Sequence, residues 1–297
     1  MEKVSILHLI TAASNASPFD VNMAFDAGFD KVMPYTSVSL DDVSALTQDA
    51  IFSRSPSGVK REAIFFGGRD VGLAVDMQNA AKAAMFAPFA VSTMSDPSGA
   101  FTTSGALLAK ISQHLASSHD ALAKQTIAIF GASGTVGSTA ALIAAAQGAN
   151  VKLVAHAGVD RMQHHADQLH KKYGYTFEVV DGASDKAKIS ILNSATVAIA
   201  AGPAGVQVLQ IKHYINASSL KVMADVNAVS PAGIEGLDAQ CDGVKLGNTN
   251  ILGLGALAIG QLKYVTQHKL LQQLLQGDNP VHLDYHYAFN IACAQRQ

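Results

Sequence analysis

Charge and cysteine are both scarce in this chain. Asp, Glu, Lys and Arg make up 15% of its 297 residues, and the formal net charge is −2. So slight a balance gives no electrostatic footprint for nucleic acid or for a membrane surface. The two cysteines, Cys241 and Cys293, stand far apart and lack metal-ligand spacing. They read as two free thiols in a reducing compartment. No apolar run reaches the roughly 18 unbroken residues of a membrane span. The opening MEKVSILHLI is too short in its apolar part for a secretory signal, and lacks a small-residue cleavage pattern. It reads as a first strand, and a soluble cytoplasmic protein is the expectation.

The catalytic motifs that are absent narrow the chemistry. There is no His-Glu-x-x-His, no Cys/His cluster, no Gly-x-Ser-x-Gly elbow and no P-loop lysine. Histidine is plentiful, at 11 residues. His164, His165 and His170 share one helical segment, and His282 and His286 lie near the last helix. They read as exposed helix histidines, and no metal site is expected. No internal repeat or low-complexity tract interrupts the chain.

What is present is apolar and periodic. Hydrophobic residues are 49% of the chain, enough for a large core or for two ordinary domains. Strand-like and helix-like stretches alternate as in a parallel sheet. In the first hundred residues Val4 to Ile10, Lys31 to Tyr35, Glu62 to Phe66 and Val91 to Met94 read as strands. Phe19 to Ala27, Asp41 to Phe52 and Asp70 to Met85 read as helices. Asp96 to Thr103 reads as a polar loop leading into a helix from Ser104 to Leu115, a natural connection between domains. Thr126 to Phe130, Val151 to Ala155, Thr176 to Val180, Val197 to Ala200 and Lys221 to Asp225 read as strands of a second α/β unit. Gly134 to Gln147, Val159 to Tyr173 and Ser184 to Asn193 read as its helices. Gly253 to Gln276 reads as a glycine-rich start and a long apolar helix, and Asp284 to Ala294 as a last helix.

The central stretch is Ala128-Ile129-Phe130-Gly131-Ala132-Ser133-Gly134-Thr135-Val136-Gly137. An apolar strand enters a glycine turn that opens directly into a helix. Gly131 permits the turn, Gly134 lets a phosphate approach the backbone, and Gly137 lets the helix lie close to the sheet. The helix start then offers N–H groups and a partial positive charge to a pyrophosphate. Dinucleotide binding is the functional reading, with Gly131, Ser133, Gly134, Thr135 and Val136 as the contact stretch. A glycine turn used only for packing is the bland one. The acidic residue that usually ends the next strand and binds a ribose 2′-hydroxyl is missing. His156 stands there, with Arg161 close behind. A histidine with a nearby arginine tolerates a 2′-phosphate that a carboxylate would repel, which favours NADP over strict NAD. Asp160 keeps NAD use open.

Other candidates emerge from strand ends. Ala201-Gly202-Pro203 follows an apolar strand, where its backbone can pass beneath a nicotinamide ribose or form a plain turn. Asp225 and Asn227 are polar residues leaving the next apolar strand. In open α/β sheets ligands sit at that edge. Lys263 and Phe19, taken alone, read as a snorkelling surface lysine and a core residue.

Several segments together resemble the NAD(P)-dependent methylene-tetrahydromethanopterin dehydrogenases of methylotrophic bacteria. They are Ser-Pro-Phe-Asp-Val-Asn-Met-Ala (17–24), Asp-Ala-Gly-Phe (26–29), Leu-Thr-Gln-Asp-Ala-Ile-Phe-Ser-Arg (46–54) and Phe-Thr-Thr (101–103). Ala-Gly-Pro-Ala-Gly (201–205), Asp-Val-Asn-Ala-Val-Ser-Pro-Ala-Gly-Ile (225–234) and Gly-Ala-Leu-Ala-Ile-Gly (255–260) complete the set. The likeness is closer to the form that accepts both nucleotides than to the strictly NADP-dependent form, whose second strand ends in a basic pair where this chain has His156-Ala157. A more distant likeness in architecture is to methylene-tetrahydrofolate dehydrogenases.

The resemblance implies an α/β fold of two domains with a cleft, one a Rossmann-type parallel sheet. It implies a pterin domain from residues 1–108 and 268–297, a dinucleotide domain from 109–267, and a trimeric or hexameric homo-oligomer. Phe19 matches the phenylalanine expected to stack on the pterin and Lys263 the lysine expected on its other side. Asp20, Thr102 and Thr103 fall in the matching substrate segments. Ser133 and Thr135 depart from the family's glycine turn, which bears on details of phosphate contact. The implied chemistry needs no general base. The substrate carbon lies between two nitrogens, and loss of hydride there leaves a cation stabilised by both lone pairs. The folate enzyme remains the alternative reading, and a dinucleotide sensor without turnover the alternative of another class.

Overall fold

The structure is a computed structural model that describes residues 4–115, 121–277 and 279–296. In chain order the first elements are β1 (Ile6–Ile10), α1 (Pro18–Asp26), β2 (Lys31–Tyr35), α2 (Val43–Phe52), α3 (Pro56–Val59), β3 (Glu62–Phe66), α4 (Val71–Ala83) and β4 (Ser92–Ser95). Then come α5 (Ala100–Leu115), β5 (Thr126–Phe130), α6 (Thr135–Ala146), β6 (Asn150–Ala155), α7 (Val159–Tyr173), β7 (Glu178–Asp181), α8 (Asp185–Ser194) and β8 (Val197–Ala200). The last are α9 (Ile211–Tyr214), β9 (Val222–Asp225), β10 (Asp242–Lys245), β11 (Leu252–Leu254), α10 (Ala256–Leu275), β12 (His282–Leu283) and α11 (Tyr285–Gln295).

The chain forms two compact units, Met1–Thr102 with Tyr264–Ile291, and Thr103–Lys263 with Ala292–Gln297. The three boundaries fall inside helices, α5, α10 and α11. The C-terminal residues group with the second unit, because the Arg296 guanidinium donates to the Ala109 carbonyl (3.4 Å) and to the Ser112 hydroxyl.

The first unit holds a five-stranded sheet in the order β12-β4-β3-β1-β2, with every pairing parallel. Strand β3 reads Glu-Ala-Ile-Phe-Phe and is buried throughout, as a strand covered on both faces must be. Edge strand β2 is largely exposed. Ile10, Val43, Ile51, Ile64, Phe66 and Met77 build an apolar core here.

The second unit holds a seven-stranded sheet in the order β10-β11-β9-β8-β5-β6-β7. Only the β10–β11 pair is antiparallel. Counted from β5, the parallel strands run 3-2-1-4-5, the order of a doubly wound nucleotide-binding sheet. The chain reverses direction across the sheet between β5 and β8, so loops at their carboxyl ends form a switch point. Strands β8 and β9 are apolar up to their ends, and Phe130, Leu192, Leu209, Met223 and Ile234 pack in the core around them.

Three local expectations change. The stretch Phe101 to Thr103 is not loop: α5 already starts at Ala100. The Asp96 carboxylate accepts from the backbone N–H groups of Phe101 (2.8 Å) and Thr102 (3.1 Å), which starts the helix directly after the turn. The strand expected at Thr176 begins at Glu178. The glycine-rich start at Gly253 is strand β11, not helix. Among the described residues no helix is long and apolar enough to cross a membrane. Cys241 and Cys293 are free thiols.

Candidate nucleotide and pterin sites

Strand β5 ends at Phe130, and Gly131 turns the chain with φ +81°. A Cβ there would lie 2.4 Å from the Ala201 carbonyl oxygen and 2.7 Å from the Gly202 nitrogen. No side chain fits, so the turn after β5 and the loop after β8 touch backbone to backbone. The Ala201 N–H donates to the Phe130 carbonyl at 2.8 Å and fixes that contact. At Gly137 a Cβ would lie 2.4 Å from the Gly131 carbonyl oxygen, so the first turn of α6 rests directly on the glycine turn.

Gly134 is the N-cap of α6, and no side chain caps the helix. Its first-turn N–H groups await an acceptor from elsewhere. Ser133 and Gly134 are exposed, and Thr135 and Val136 half-buried. A Cβ at Gly134 would crowd the Gly131 carbonyl at 3.3 Å. An uncapped helix start on a glycine turn fits a pyrophosphate.

Beyond β6, which pairs with β5, lie His156, Asp160 and Arg161, all exposed. Ala201 and Gly202 are half-buried and Pro203 exposed at the end of β8. Gly202 is a second position that excludes a side chain, since a Cβ would meet Val208 at 2.9 Å.

Asp225 is 1% exposed. One carboxylate oxygen accepts from Asn227 N–H (2.9 Å) and the other from Ile234 N–H (3.0 Å). Burial pushes its carboxyl above the usual range, while backbone donors at Asn227, Ile234 and Gly233 pull the other way. Asn227 continues the pattern: its Nδ2 donates to the Pro231 carbonyl (3.0 Å) and its Oδ1 accepts from Val229 N–H (2.9 Å). Both side chains bond and shape the 226–234 loop.

In the first unit, Phe19 is the second residue of α1 and 45% exposed. Asp20 is buried, and Gln267 Nε2 of α10 donates to it at 2.9 Å. It fastens α1 to α10. Thr102 is also withdrawn: it is fully buried and its hydroxyl donates to Asp96 Oδ2 at 2.6 Å. Thr103 is half-buried one residue further along α5, and Lys263 half-buried within α10.

Two residues at the turn were not singled out as site residues in sequence. The Ser138 hydroxyl lies 2.8 Å from the Ala132 carbonyl oxygen and 2.9 Å from His165 Nε2. His165 is therefore not an exposed helix histidine. Burial pushes its imidazole below the usual pKa. The signal was available: Met162, Ala166 and Leu169 are the buried stripe of α7, and His165 falls beside it at helical spacing. Among the described residues no three His, Cys, Asp or Glu side chains converge to hold a metal.

Comparison with known proteins identifies the family. Residues 18–98 match the family described as methylene-tetrahydromethanopterin dehydrogenase, N-terminal. The chain is 42% identical over 289 residues to the NAD(P)-dependent methylenetetrahydromethanopterin dehydrogenase of Methylorubrum extorquens, covering 97% of each. It is 31% identical over 265 residues to the Bifunctional protein MdtA of the same organism, covering 89% of this chain and 90% of that one. Among solved structures, shikimate 5-dehydrogenase from Listeria monocytogenes superposes with a TM-score of 0.49 at 12% identity, covering 91% of this chain and 92% of that one. Identity of 42% across nearly the whole of both chains places this chain in the methylene-tetrahydromethanopterin dehydrogenase family.

Proposed function

We propose that this protein oxidises methylene-tetrahydromethanopterin to the methenyl form with NAD(P), a step of one-carbon (formaldehyde) oxidation. The observation that carries this is the 42% identity to a dehydrogenase of that name over 97% of both chains. The glycine turn supports the nucleotide half of the reading. Bound there, the nicotinamide supplies the hydride acceptor.

The chain's own residues bind and orient. The α6 start offers backbone N–H groups to the pyrophosphate, and the Gly131–Ala201 contact holds the turn in place. His156 and Arg161 accommodate either a ribose hydroxyl or a 2′-phosphate, so both nucleotides are used. Phe19 presents an aromatic face to the pterin, and Lys263 orients it by charge. Neither acts as a base, because the reaction releases no proton: hydride leaves a carbon whose two nitrogen neighbours stabilise the resulting cation. Alignment of the two reacting carbons and exclusion of water are the protein's contribution. The reading includes a cytoplasmic homo-oligomer, trimer or hexamer, which sedimentation velocity tests.

The direct test is initial rates of nicotinamide reduction with methylene-tetrahydromethanopterin and methylene-tetrahydrofolate, each with NAD and NADP. Fast turnover of the methanopterin with both nucleotides is expected. Turnover of the folate alone would replace this reading with the folate one. Nucleotide binding without turnover of either pterin would make the protein a sensor.

A further inference from the structure

The glycine turn is held from behind. The Gly134 N–H donates to the Gly131 carbonyl at 3.1 Å and closes the turn across its central peptide, Ala132–Ser133, which is neither glycine nor helix. The carbonyl oxygen of that peptide is 2.8 Å from the Ser138 hydroxyl, which in turn is 2.9 Å from His165 Nε2. Ala132 is fully buried and Ser138 is 5% exposed, so water does not compete for this chain of bonds.

The proton positions follow by elimination. A carbonyl only accepts, and a serine hydroxyl carries one proton. The Ser138 proton therefore goes to the Ala132 carbonyl, and His165 must donate from Nε2 to the Ser138 oxygen. A peptide bond is planar, and its N–H points opposite to its C=O. Drawing the Ala132 carbonyl inward thus turns the Ser133 N–H outward, at an exposed residue beside the uncapped start of α6.

We propose that Ser138 and His165 are positioning residues for the nucleotide: together they lock the Ala132–Ser133 peptide so that the Ser133 N–H faces the phosphate. His165 acts through Ser138 and by its own hydrogen bond to the Ala132 backbone, and touches no ligand. This rests on the nucleotide-binding half of the proposed function and extends it to two residues on different helices, α6 and α7. It assigns to the turn a geometry that the glycines alone do not impose.

The test is NADPH affinity by nicotinamide fluorescence, with steady-state kinetics, on the full-length protein and three variants. Ser138→Ala removes the donor to Ala132, and His165→Leu removes the donor to Ser138. His165→Gln restores an N–H at comparable reach. Loss of one buried hydrogen bond predicts NADPH binding weakened about tenfold in the first two variants, and a raised KM for nucleotide with kcat kept. The melting temperature falls modestly in both, since each leaves a buried group without its partner, while the KM for pterin stays close to that of the unmodified protein and His165→Gln recovers most of the affinity. Two results would overturn the inference. One is NADPH affinity unchanged in Ser138→Ala and His165→Leu. The other is a parallel decline of nucleotide binding, pterin binding and melting temperature that His165→Gln does not relieve, which marks ordinary packing. Failure of the unmodified protein to bind NADPH is a separate outcome: it would sink the dehydrogenase reading and this inference together.

Discussion

Each unit feeds a parallel strand into a helix, and the two helix starts are built in opposite ways. In the first unit β1 leads to α1. Ser17 accepts from Asp20 N–H at 3.4 Å, Pro18 has no N–H to satisfy, and Asp20 sets a carboxylate in the first turn. In the second unit β5 leads to α6. Its N-cap is glycine, no side chain caps it, and no acidic residue occupies its first turn. Both helices carry the same backbone dipole. One consumes it internally and the other leaves it for a ligand. An anion site on such a fold is made as much by withheld caps as by added residues.

The largest test of this contrast removes the turn itself. Gly131→Ala adds a Cβ 2.4 Å from the Ala201 carbonyl at a residue with φ +81°. Strain of this kind costs on the order of 1–3 kcal/mol, and NADPH affinity should fall by up to about a hundredfold in fluorescence titration. Next is the loop at the neighbouring strand end. Asp225→Ala leaves buried backbone donors without an acceptor, at a cost of about 2 kcal/mol readable in urea unfolding. Because Asp225 shapes the loop, the nucleotide KM should rise while the pterin KM stays put.

A smaller effect probes the first unit. Phe19 is 45% exposed, so Phe19→Ala should leave the melting temperature unchanged. It should raise the pterin KM by about tenfold through lost stacking, with NADPH affinity intact. Equal loss of both affinities would remove Phe19 from the pterin reading. The smallest effect is a pH dependence away from any site. Lys212 first, then His213, hold the Asp185 carboxyl down at about 2. A carboxyl with a lowered folded-state pKa stabilises the fold above its unfolded value near 4 and loses that contribution as pH falls from about 4 toward 2. Asp185→Asn should flatten the dependence of melting temperature on pH across that window and leave NADPH affinity alone.

The glycine turn was legible because every contact that defines it lies within a short stretch or at one adjacent strand end. A strand, three spaced glycines and an apolar helix state the geometry locally. The first unit was read less well because its contacts are long-range. Asp20 looked like a ligand residue, and only the fold shows that it is held by Gln267, 247 positions away. Thr102 looked like loop because Asp96-Pro97-Ser98-Gly99 reads as a turn. The Asp96 carboxylate caps a helix immediately after that turn and draws Thr102 inside. Strand β12 has two residues, too few to show a period, yet it completes the first sheet. Asp225 and Asn227 were found at the strand end, but their bonds to their own loop were not read from the sequence.

The claim that the open start of α6 receives the nucleotide phosphates is tested most directly by reciprocal substitution at the two helix starts. Gly134→Asp closes α6 with a cap and a negative charge, and Ser17→Gly opens α1. The account predicts that Gly134→Asp weakens NADPH binding about tenfold or more in fluorescence titration, by repulsion and by occupying the helix N–H groups. Ser17→Gly should lower stability by a few tenths of a kcal/mol and leave NADPH affinity unchanged. Undiminished NADPH binding in Gly134→Asp would contradict the account.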